Sequence, residues 1–337
     1  MIVLGIESSC DECSMALVEN GHKILGMVTD TQIRVHALYD GVVPEIASRM
    51  HLEAVVTVFR ETLRQSGVAL ESIEAVAATR QPGLSGSLLV GHSFAKAFSF
   101  SRELPFIGVD HMLAHLYAPR LATDVSYPFL GLLVSGGHSM IVKVSGIDDI
   151  EVLGASIDDA VGEAFDKVAK HYGLGYPGGK AVDDLARQGN AHAFNFPLPN
   201  LYKGDHAYDV SYSGLKNAVI NQTAQFKAVE GPTSLADLLA SFQRVAVDVI
   251  LRRLLKAVHD TGIRSVVAGG GVTANNHLRA RLSAFPDCKV LYPPLELCGD
   301  NGAMVAGLGY HLIARGDRSA LNETVKPRVE GFRKAYP

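Results

Sequence analysis

The sequence has few cysteines, no apolar run of membrane-spanning length and almost no excess charge. Its four cysteines among 337 residues do not form the dense pattern of a disulfide-stabilised scaffold. The longest uncharged stretches, such as residues 127–142, contain Ser, Gly and His and are too short to cross a bilayer. The N-terminal apolar run meets Glu7 too early for a signal peptide. We therefore predict a cytoplasmic protein with reduced thiols and no membrane association.

Charge of the two signs is nearly balanced, with a net charge of −4. An RNA partner would therefore need a local patch of Lys and Arg or the help of another protein. The sequence also lacks a Gly-Lys-Ser/Thr segment after a glycine loop, so a Walker P-loop is excluded. With 47% apolar and 20% charged residues, the chain has the composition of a globular protein long enough for two domains.

Strand patterns alternate with helical patterns, which indicates the α/β class. Two strand–polar turn–strand units, at residues 1–18 and 129–144, begin the two halves of the chain and suggest an internal duplication. Pro44 suits the start of a helix, where a missing N–H costs nothing. Residues 156–172 predict a helix with Asp158 and Asp159 in its first turn, and residues 173–214 read as mostly loop.

The segment His111-Met-Leu-Ala-His115 places two histidines four residues apart. On a helix they share a face and could chelate one divalent metal. Asp300, just before a helix rich in small residues, is the candidate third ligand. Two unrelated histidines are the plainer explanation of such a pair. Met112 occupies the position of the Glu in a zinc-protease HExxH motif, so the general base of such a protease is missing.

Glycine-rich turns follow two predicted strands, at residues 135–137 and 269–271. Successive glycines can adopt positive φ and expose backbone N–H groups to a phosphate, and a helix beginning near Asn275 would add its N-terminus. Each turn alone could equally be a plain hairpin or a helix cap. An acidic turn near the start carries Glu7, Asp11 and Glu12. Together these features fit a nucleotide held between two duplicated lobes.

Three further patterns have two interpretations each. Cys10 and Cys13 could join Cys288 and Cys298 in a four-thiolate site, but the spacing is not that of a zinc ribbon and favours buried free thiols. One face of the 156–172 helix is acidic, through Asp159, Glu163 and Asp166, and could be solvated or functional. Lys216, Arg279 and Arg281 could contact phosphate, although solvated surface charge is the commoner explanation for each.

Taken in order, these motifs resemble those of the bacterial TsaD family of tRNA N6-adenosine threonylcarbamoyltransferases, formerly described as O-sialoglycoprotein endopeptidases. The matching segments run over nearly the whole chain. They are residues 5–12, 41–49, 82–91, 111–115, 132–138, 156–167, 176–179, 213–216, 269–275 and 300–304. So many matches in one order make the resemblance specific.

The resemblance implies the actin-like ATPase (ASKHA) fold, with two duplicated lobes and a nucleotide and metal cleft between them. We expect an N-terminal lobe over residues 1–109 and a C-terminal lobe over residues 110–337, whose final helix packs back toward the N-terminal lobe. The resemblance also implies that one Fe²⁺ or Zn²⁺ per subunit is held by His111, His115 and Asp300. An adenylate, or ATP, would be lined by Val134, Ser135, Gly136, Gly137, His138, Asp166, Gly179, Asp183 and Asn275.

The implied reaction moves the threonylcarbamoyl group of threonylcarbamoyl-AMP to N6 of adenosine 37 in tRNAs that read codons beginning with adenine, and releases AMP. Asp11, in the acidic turn, is our candidate proton acceptor. The implied partners are tRNA, a TsaB-like paralogue, a TsaE-like small ATPase and a separate synthase that supplies the adenylate.

Several positions depart from the family pattern. Gln81 stands where Gly is usual, Cys13 where Thr is usual, and Asp110 where His is common. Leu113 and Ala114 replace Glu and Gly. We expect Gln81 to alter loop geometry beside the nucleotide, and Leu113 to remove a carboxylate from beside the metal.

Three other functions remain compatible with parts of the pattern. A metal-dependent glycoprotein endopeptidase would use the histidine pair, although Met112 argues against it. A non-catalytic ATP-binding scaffold would use only the glycine turns. A sugar or acetate kinase would share the fold and transfer phosphoryl groups to a small acceptor.

Overall fold

The computed structural model describes residues 1–147, 149–199, 201, 206–221, 223–229 and 231–328. These residues form two compact units. Unit 1 covers Met1–Ser126 and resumes at Pro293, and unit 2 covers Tyr127–Tyr292. In the described part of the chain, no helix combines the length and the apolar character needed to span a membrane.

Unit 1 is built on a five-stranded mixed sheet in the order β3-β2-β1-β4-β5. The strands are β1 (Ile2–Glu7), β2 (Glu12–Glu19), β3 (Lys23–Thr31), β4 (Ala75–Gln81) and β5 (Phe106–Asp110). The helices are α1 (Ile33–His36), α2 (Pro44–Ser66), α3 (Ser85–Arg102), α4 (His111–Tyr117) and, after unit 2, α10 (Gly302–Arg315). Pro44 is the first residue of α2, as predicted. The central strand β1 is buried almost throughout, because helices cover both faces of the sheet.

Alternate residues of β1 serve the two faces of this sheet. Leu4 and Ile6 belong to the core formed with α2 and α3. Gly5 points the other way, where α10 packs against β1, β2 and β4. A Cβ atom at Gly5 would overlap the carbonyl oxygen of Gly302 and would lie 2.5 Å from the backbone nitrogen of Ala306. Glycine is therefore what lets the helix backbone approach the strand.

Unit 2 repeats the topology of unit 1. Its strands are β6 (Phe129–Val134), β7 (Ser139–Val144), β8 (Ile150–Ala155), β9 (Ser265–Gly269) and β10 (Lys289–Leu291), in the order β10-β9-β6-β7-β8. Its helices are α5 (Val161–His171), α6 (Gly178–Ala186), α7 (Ser213–Asn221), α8 (Leu235–Thr261) and α9 (Asn276–Ser283). In each unit, an antiparallel three-stranded meander is extended by two parallel strands. This equivalence supports the duplication that the sequence suggests.

Two element boundaries differ from those predicted. The helix expected over residues 156–172 begins only at Val161, because Asp158 and Ser156 are engaged in the preceding turn. Asp158 accepts hydrogen bonds from Ser211 Oγ (2.5 Å) and Tyr212 N (2.8 Å), just before α7. The stretch expected to be mostly loop, residues 173–214, is so among its described residues, apart from α6 and the first residues of α7.

The division into units also differs from the boundary predicted between residues 109 and 110. Strand β5 runs directly into α4, whose residues pack against β5 and α10. Residues 110–126 therefore stay with unit 1, and so does the final helix α10. The second unit begins only at Tyr127, immediately before β6.

The close packing at Gly5 predicts a large stability effect. We expect Gly5→Ala to lower the free energy of unfolding by about 3 kcal/mol, because the added methyl group must displace backbone atoms of α10. The measurement is urea denaturation followed by circular dichroism. Gly214→Ala is the matched control, since a Cβ atom there meets nothing within 4 Å. Equal midpoints for the two variants would show that this helix–strand contact is not tight.

Candidate functional site

Helix α4 places two histidines on one face at the end of the parallel strand β5. Asp110 caps the helix, and its Oδ1 accepts hydrogen bonds from Met112 N (2.8 Å) and Leu113 N (3.1 Å). The helix therefore starts at His111, and His115 follows one turn later. The two imidazole rings have centroids 4.5 Å apart and both are buried.

Asp300 reaches these histidines from the turn before α10. Asn301 fixes that turn, since its Oδ1 accepts from Met304 N (3.0 Å) and its Nδ2 donates to Gly299 O (2.9 Å). The Oδ1 atom of Asp300 lies 3.0 Å from His115 Nε2 and 3.6 Å from His111 Nε2. The potential ligand atoms of the three residues all lie within 4.8 Å of one another. The structure thus brings together the three predicted metal ligands.

The chemistry of this group fits a divalent transition metal. Two imidazoles and one carboxylate are a donor set used by Zn²⁺ and Fe²⁺. His115 is 1% exposed, and its Nδ1 has no hydrogen-bond partner among the described residues. The Nδ1 atom of His111 lies 3.0 Å from Glu7 Oε2, which leaves Nε2 of that ring, the atom nearer Asp300, as the nitrogen available to a metal. A carboxylate behind a histidine is the usual arrangement at a metal site.

Glu7 ends strand β1 and is fully buried. Its carboxylate accepts hydrogen bonds from Ser9 N (2.6 Å) and Thr79 Oγ1 (2.5 Å) in addition to facing His111. Burial alone would raise the pKa of Glu7, but the charge and hydrogen bond of His111 hold that pKa below its usual value. Burial likewise lowers the pKa of His111, yet the carboxylates of Glu7 and Asp300 outweigh it and raise that pKa to about 10. Negative charge is thus concentrated where a cation would bind.

The sequence pattern places Glu7 only in an acidic turn and does not reveal its position behind His111. One signal could have found it. Strands β1, β4 and β5 are parallel neighbours, and they end at Glu7, Gln81 and Asp110. Polar residues at the carboxyl ends of neighbouring parallel strands meet at one edge of the sheet, where α/β proteins bind ligands.

Asp11, the candidate proton acceptor, is buried in the turn between β1 and β2. Its neighbour Glu12 begins β2. Burial, together with the nearby carboxylates of Asp300 and Asp11, raises the pKa of Glu12 to about 10. The turn and the histidine group therefore form one acidic region of unit 1.

Two of the departures from the family pattern contact each other. Gln81 Nε2 donates to Asp110 Oδ2 (3.2 Å), so Gln81 supports the residue that caps α4.

The four cysteines are free thiols. Burial raises the pKa of Cys13 to about 12, and it raises the pKa of Cys10 further, so neither thiol ionises at neutral pH. These facts support the interpretation of free thiols, of which Cys13 and Cys298 are buried and Cys10 and Cys288 are partly exposed.

In unit 2, residues 135–138 form the hairpin turn that follows Val134 at the end of β6. Ser135 N donates to His138 O (2.8 Å), and His138 N donates to Ser135 Oγ (3.1 Å). Gly136 and Gly137 can adopt positive φ, but neither lies in the left-handed region here. No atom lies within 4 Å of a Cβ at either glycine, so their surface is open.

Two other glycines allow neighbouring backbone segments to pack closely against this turn. Gly270 has a φ of 93°, and a Cβ atom there would overlap the carbonyl of Val134. A Cβ atom at Gly162, in the first turn of α5, would lie 2.5 Å from Ser135 O. The hairpin turn therefore sits between the start of α5 and the turn that leads into α9.

The other predicted adenylate residues lie around the starts of α6 and α9. Asp166 Oδ1 accepts from Gly178 N (2.7 Å) at the beginning of α6, and a Cβ at Gly179 would meet nothing within 4 Å. Asp183 Oδ2 accepts from Asn276 N (3.1 Å) at the beginning of α9. Its Oδ1 is buried without a partner among the described residues and can accept a hydrogen bond from a ligand. Asn275 caps α9 through Leu278 N (2.9 Å).

The predicted acidic face is not simply solvated, and its member Asp159 lies just before α5 rather than on it. Asp159 pairs with Lys167 and Lys216, each at 2.7 Å, although burial opposes its charge, and these contacts hold its pKa below the usual value. Lys216 is therefore committed to an internal ion pair. Arg279 likewise donates to Thr273 O (2.6 Å) and stacks on Tyr292.

Residues 23–307 match the family model of TsaD, described as tRNA N6-adenosine threonylcarbamoyltransferase. This chain belongs to the TsaD family. A tRNA N6-adenosine threonylcarbamoyltransferase from Treponema denticola is 55% identical over 334 residues, which are 99% of each chain. One from Borrelia garinii subsp. bavariensis is 45% identical over 100% of this chain and 99% of its own. The resemblance seen in the motifs is confirmed, and so is the prediction of a transferase of tRNA modification.

Solved structures confirm the actin-like ATPase fold. Full-length HypF in the phosphate- and nucleotide-bound form superposes with a TM-score of 0.62 at 14% identity, over 94% of the TsaD-family chain and 47% of HypF. The activator of 2-hydroxyisocaproyl-CoA dehydratase from Clostridium difficile with bound ADPNP gives a TM-score of 0.53 at 13% identity, over 95% and 99% of the two chains. At these identities the likeness concerns the fold alone.

The hydrogen bond between Glu7 and His111 predicts the metal affinity of this TsaD-family chain. We expect Glu7→Gln to weaken Zn²⁺ binding by roughly 10- to 100-fold, because the amide no longer orients and polarises the imidazole as a carboxylate does. The measurement is competition against a chromophoric chelator. The control is Glu296→Gln, an exposed side chain of the same unit. Unchanged affinity in Glu7→Gln would show that His111 does not bind the ion through Nε2.

Proposed function

We propose that this TsaD-family chain transfers the threonylcarbamoyl group of threonylcarbamoyl-AMP to N6 of adenosine 37, in tRNAs that read codons beginning with adenine. The observation that carries the proposal is the convergence of His111, His115 and Asp300 in a member of this family. The donor set is preorganised by Glu7 and by the capped starts of α4 and α10.

His111, His115 and Asp300 would hold one Fe²⁺ or Zn²⁺. When bound, such an ion supplies Lewis acidity that polarises a substrate oxygen. The protein's own contribution is to fix the three ligands. Asp110 sets where the histidine helix begins, and Asn301 sets the turn that carries Asp300.

The adenylate would be bound by unit 2. The open glycines Gly136 and Gly137 would allow a phosphate close to the backbone between Val134 and His138. The free Oδ1 of Asp183 would accept a hydrogen bond from a ribose hydroxyl. Asp166, Gly179 and Asn275 line the same region at the starts of α6 and α9, and ATP would be an alternative ligand of it.

In the reaction, N6 of the adenosine attacks the carbamoyl carbon of the mixed anhydride. A carbon–nitrogen bond forms, the carbon–oxygen bond to the phosphate breaks, and AMP leaves with the electron pair. The proton lost by N6 needs an acceptor. Asp11, buried in the acidic turn of unit 1, is our candidate.

The chain would act in the cytoplasm with partners. Its net charge of −4 supports a need for help in holding tRNA. We propose a TsaB-like paralogue and a TsaE-like small ATPase as the helpers, and a separate synthase as the source of threonylcarbamoyl-AMP. Endopeptidase activity is disfavoured, because Met112 is apolar and 1% exposed where a metalloprotease would need its general base.

Loss of Asp300 tests the activity directly. With the helper proteins, threonylcarbamoyl-AMP and unmodified tRNA, we expect Asp300→Ala to form N6-threonylcarbamoyladenosine at least about 100-fold more slowly, since a single lost catalytic interaction costs that much. Nucleoside analysis by mass spectrometry gives the rate, and the metal content is measured in parallel. The control is Asp124→Ala, an exposed carboxylate of unit 1. Equal rates and equal metal content in the two variants would refute the proposed role of the site.

Asp183→Asn tests the adenylate site separately. The variant replaces the free acceptor with an N–H donor, so we expect about tenfold weaker binding of AMP at unchanged metal content. Calorimetric titration measures the affinity. Asp287→Asn, at a carboxylate that is 84% exposed, is the control. If both variants bind AMP like the parent chain, Asp183 does not contact the nucleotide.

A further inference from the structure

Unit 2 contains a cavity of about 550 Å³ that has no part in the proposed chemistry. It lies along α8 and α9 and is lined by Arg244, Arg252 and Arg281, with Asp248 as its only carboxylate. One side is apolar, with Leu255 and Phe285 among its residues.

The ion pairs within the cavity do not neutralise all of its guanidinium groups. Asp248 accepts from Arg281 at 2.5 Å and lies 3.5 Å from Arg244, so one carboxylate serves two guanidinium groups. Arg252 is exposed and makes no hydrogen bond or ion pair with any residue that the structure describes. His277, also in the lining, has an Nε2 atom without a partner among the same residues. The site therefore has donors to spare for an anion.

The shape and chemistry of the cavity favour one nucleotide of a nucleic-acid strand over a bare inorganic anion. Guanidinium groups bind phosphate oxygens in a bidentate fork. Leu255, which is 43% exposed, and Phe285 give an apolar surface beside them, suited to a ribose or an unstacked base.

The cavity is also connected to the proposed adenylate site within unit 2. Helix α9 begins directly after Asn275, and the backbone N–H of its first residue, Asn276, donates a hydrogen bond to Asp183. Arg281 lies on the same helix, five residues or about 8 Å further along its axis at 1.5 Å per residue. An RNA strand that presents one nucleotide near the start of α9 has others within reach of the cavity.

We propose that this cavity binds a backbone phosphate of the tRNA substrate, with its sugar or base against Leu255 and Phe285, at a nucleotide other than the one modified. The identity of the RNA as tRNA rests on the proposed function. The cavity supplies the local basic patch that a chain of net charge −4 needs for RNA binding.

Charge reversal at Arg252 tests the inference, because this side chain has no described internal contact to lose. Binding of unmodified tRNA by the full chain with its helper proteins is measured over a series of NaCl concentrations. We expect Arg252→Glu to weaken binding about tenfold at 0.1 M salt and to reduce the slope of log K against log salt by about one. Lys289→Glu makes the same charge change on an exposed residue of unit 2 outside the cavity, and should leave both quantities near the parent values.

Two results would overturn the inference. In the first, Arg252→Glu and Lys289→Glu have the same tRNA affinity and salt slope. In the second, calorimetry with AMP shows a binding event that Arg252→Glu removes while tRNA affinity stays intact, which would make the ligand a free nucleotide. Failure of the proposed function is a separate result. If the parent chain forms no modified nucleoside but the two variants still differ in RNA binding, the cavity is an RNA site on a protein of another activity.

Discussion

The close contact between α10 and β1 is the constraint on which the candidate metal centre depends. Gly5 and Gly302 let the helix backbone approach the strand, and Asp300 lies in the turn just before that helix. Its carboxylate therefore arrives 3.0 Å from His115 without any adjustment of the histidine helix. Glu7 lies two residues along the same strand from Gly5, so one contact aligns both the third ligand and the residue behind His111.

Buried charge is tolerated here because every member of the group has a partner. Glu7 is fully buried, and a lone carboxylate in that position would cost several kcal/mol. It accepts from Ser9, Thr79 and His111, which come from the turn after β1, from β4 and from the helix after β5. The parallel strands thus collect donors at one edge of the sheet. A mutation that removes one donor leaves the charge in place and costs more than replacement of the whole network would.

Local patterns in the sequence predicted the local structure well. Strands β6 and β7 coincide with the apolar runs at residues 129–134 and 139–144. The histidine pair shares a helix face, as its spacing requires. Asp300 is a candidate ligand from its place before a helix rich in small residues, and the family motifs agree with it. The remaining features depend on contacts between segments distant in sequence. Examples are the Glu7–His111 pair, 104 residues apart, and the cap of Asp110 supported by Gln81. The late start of α5 has the same origin, because Asp158 is held by residues near α7.

The chain order of the three candidate metal ligands makes their assembly a late event in synthesis. His115 and Asp300 are separated by 185 residues, most of which fold as unit 2. At 5–20 residues per second, roughly 10 to 40 s pass between the emergence of the second histidine and that of the aspartate. A ribosome-bound chain in this interval presents Glu7 and both imidazoles but only part of the ligand set. An ion that requires all three side chains would therefore be acquired after translation of unit 2, and a chain truncated before Asp300 would lack the third candidate ligand.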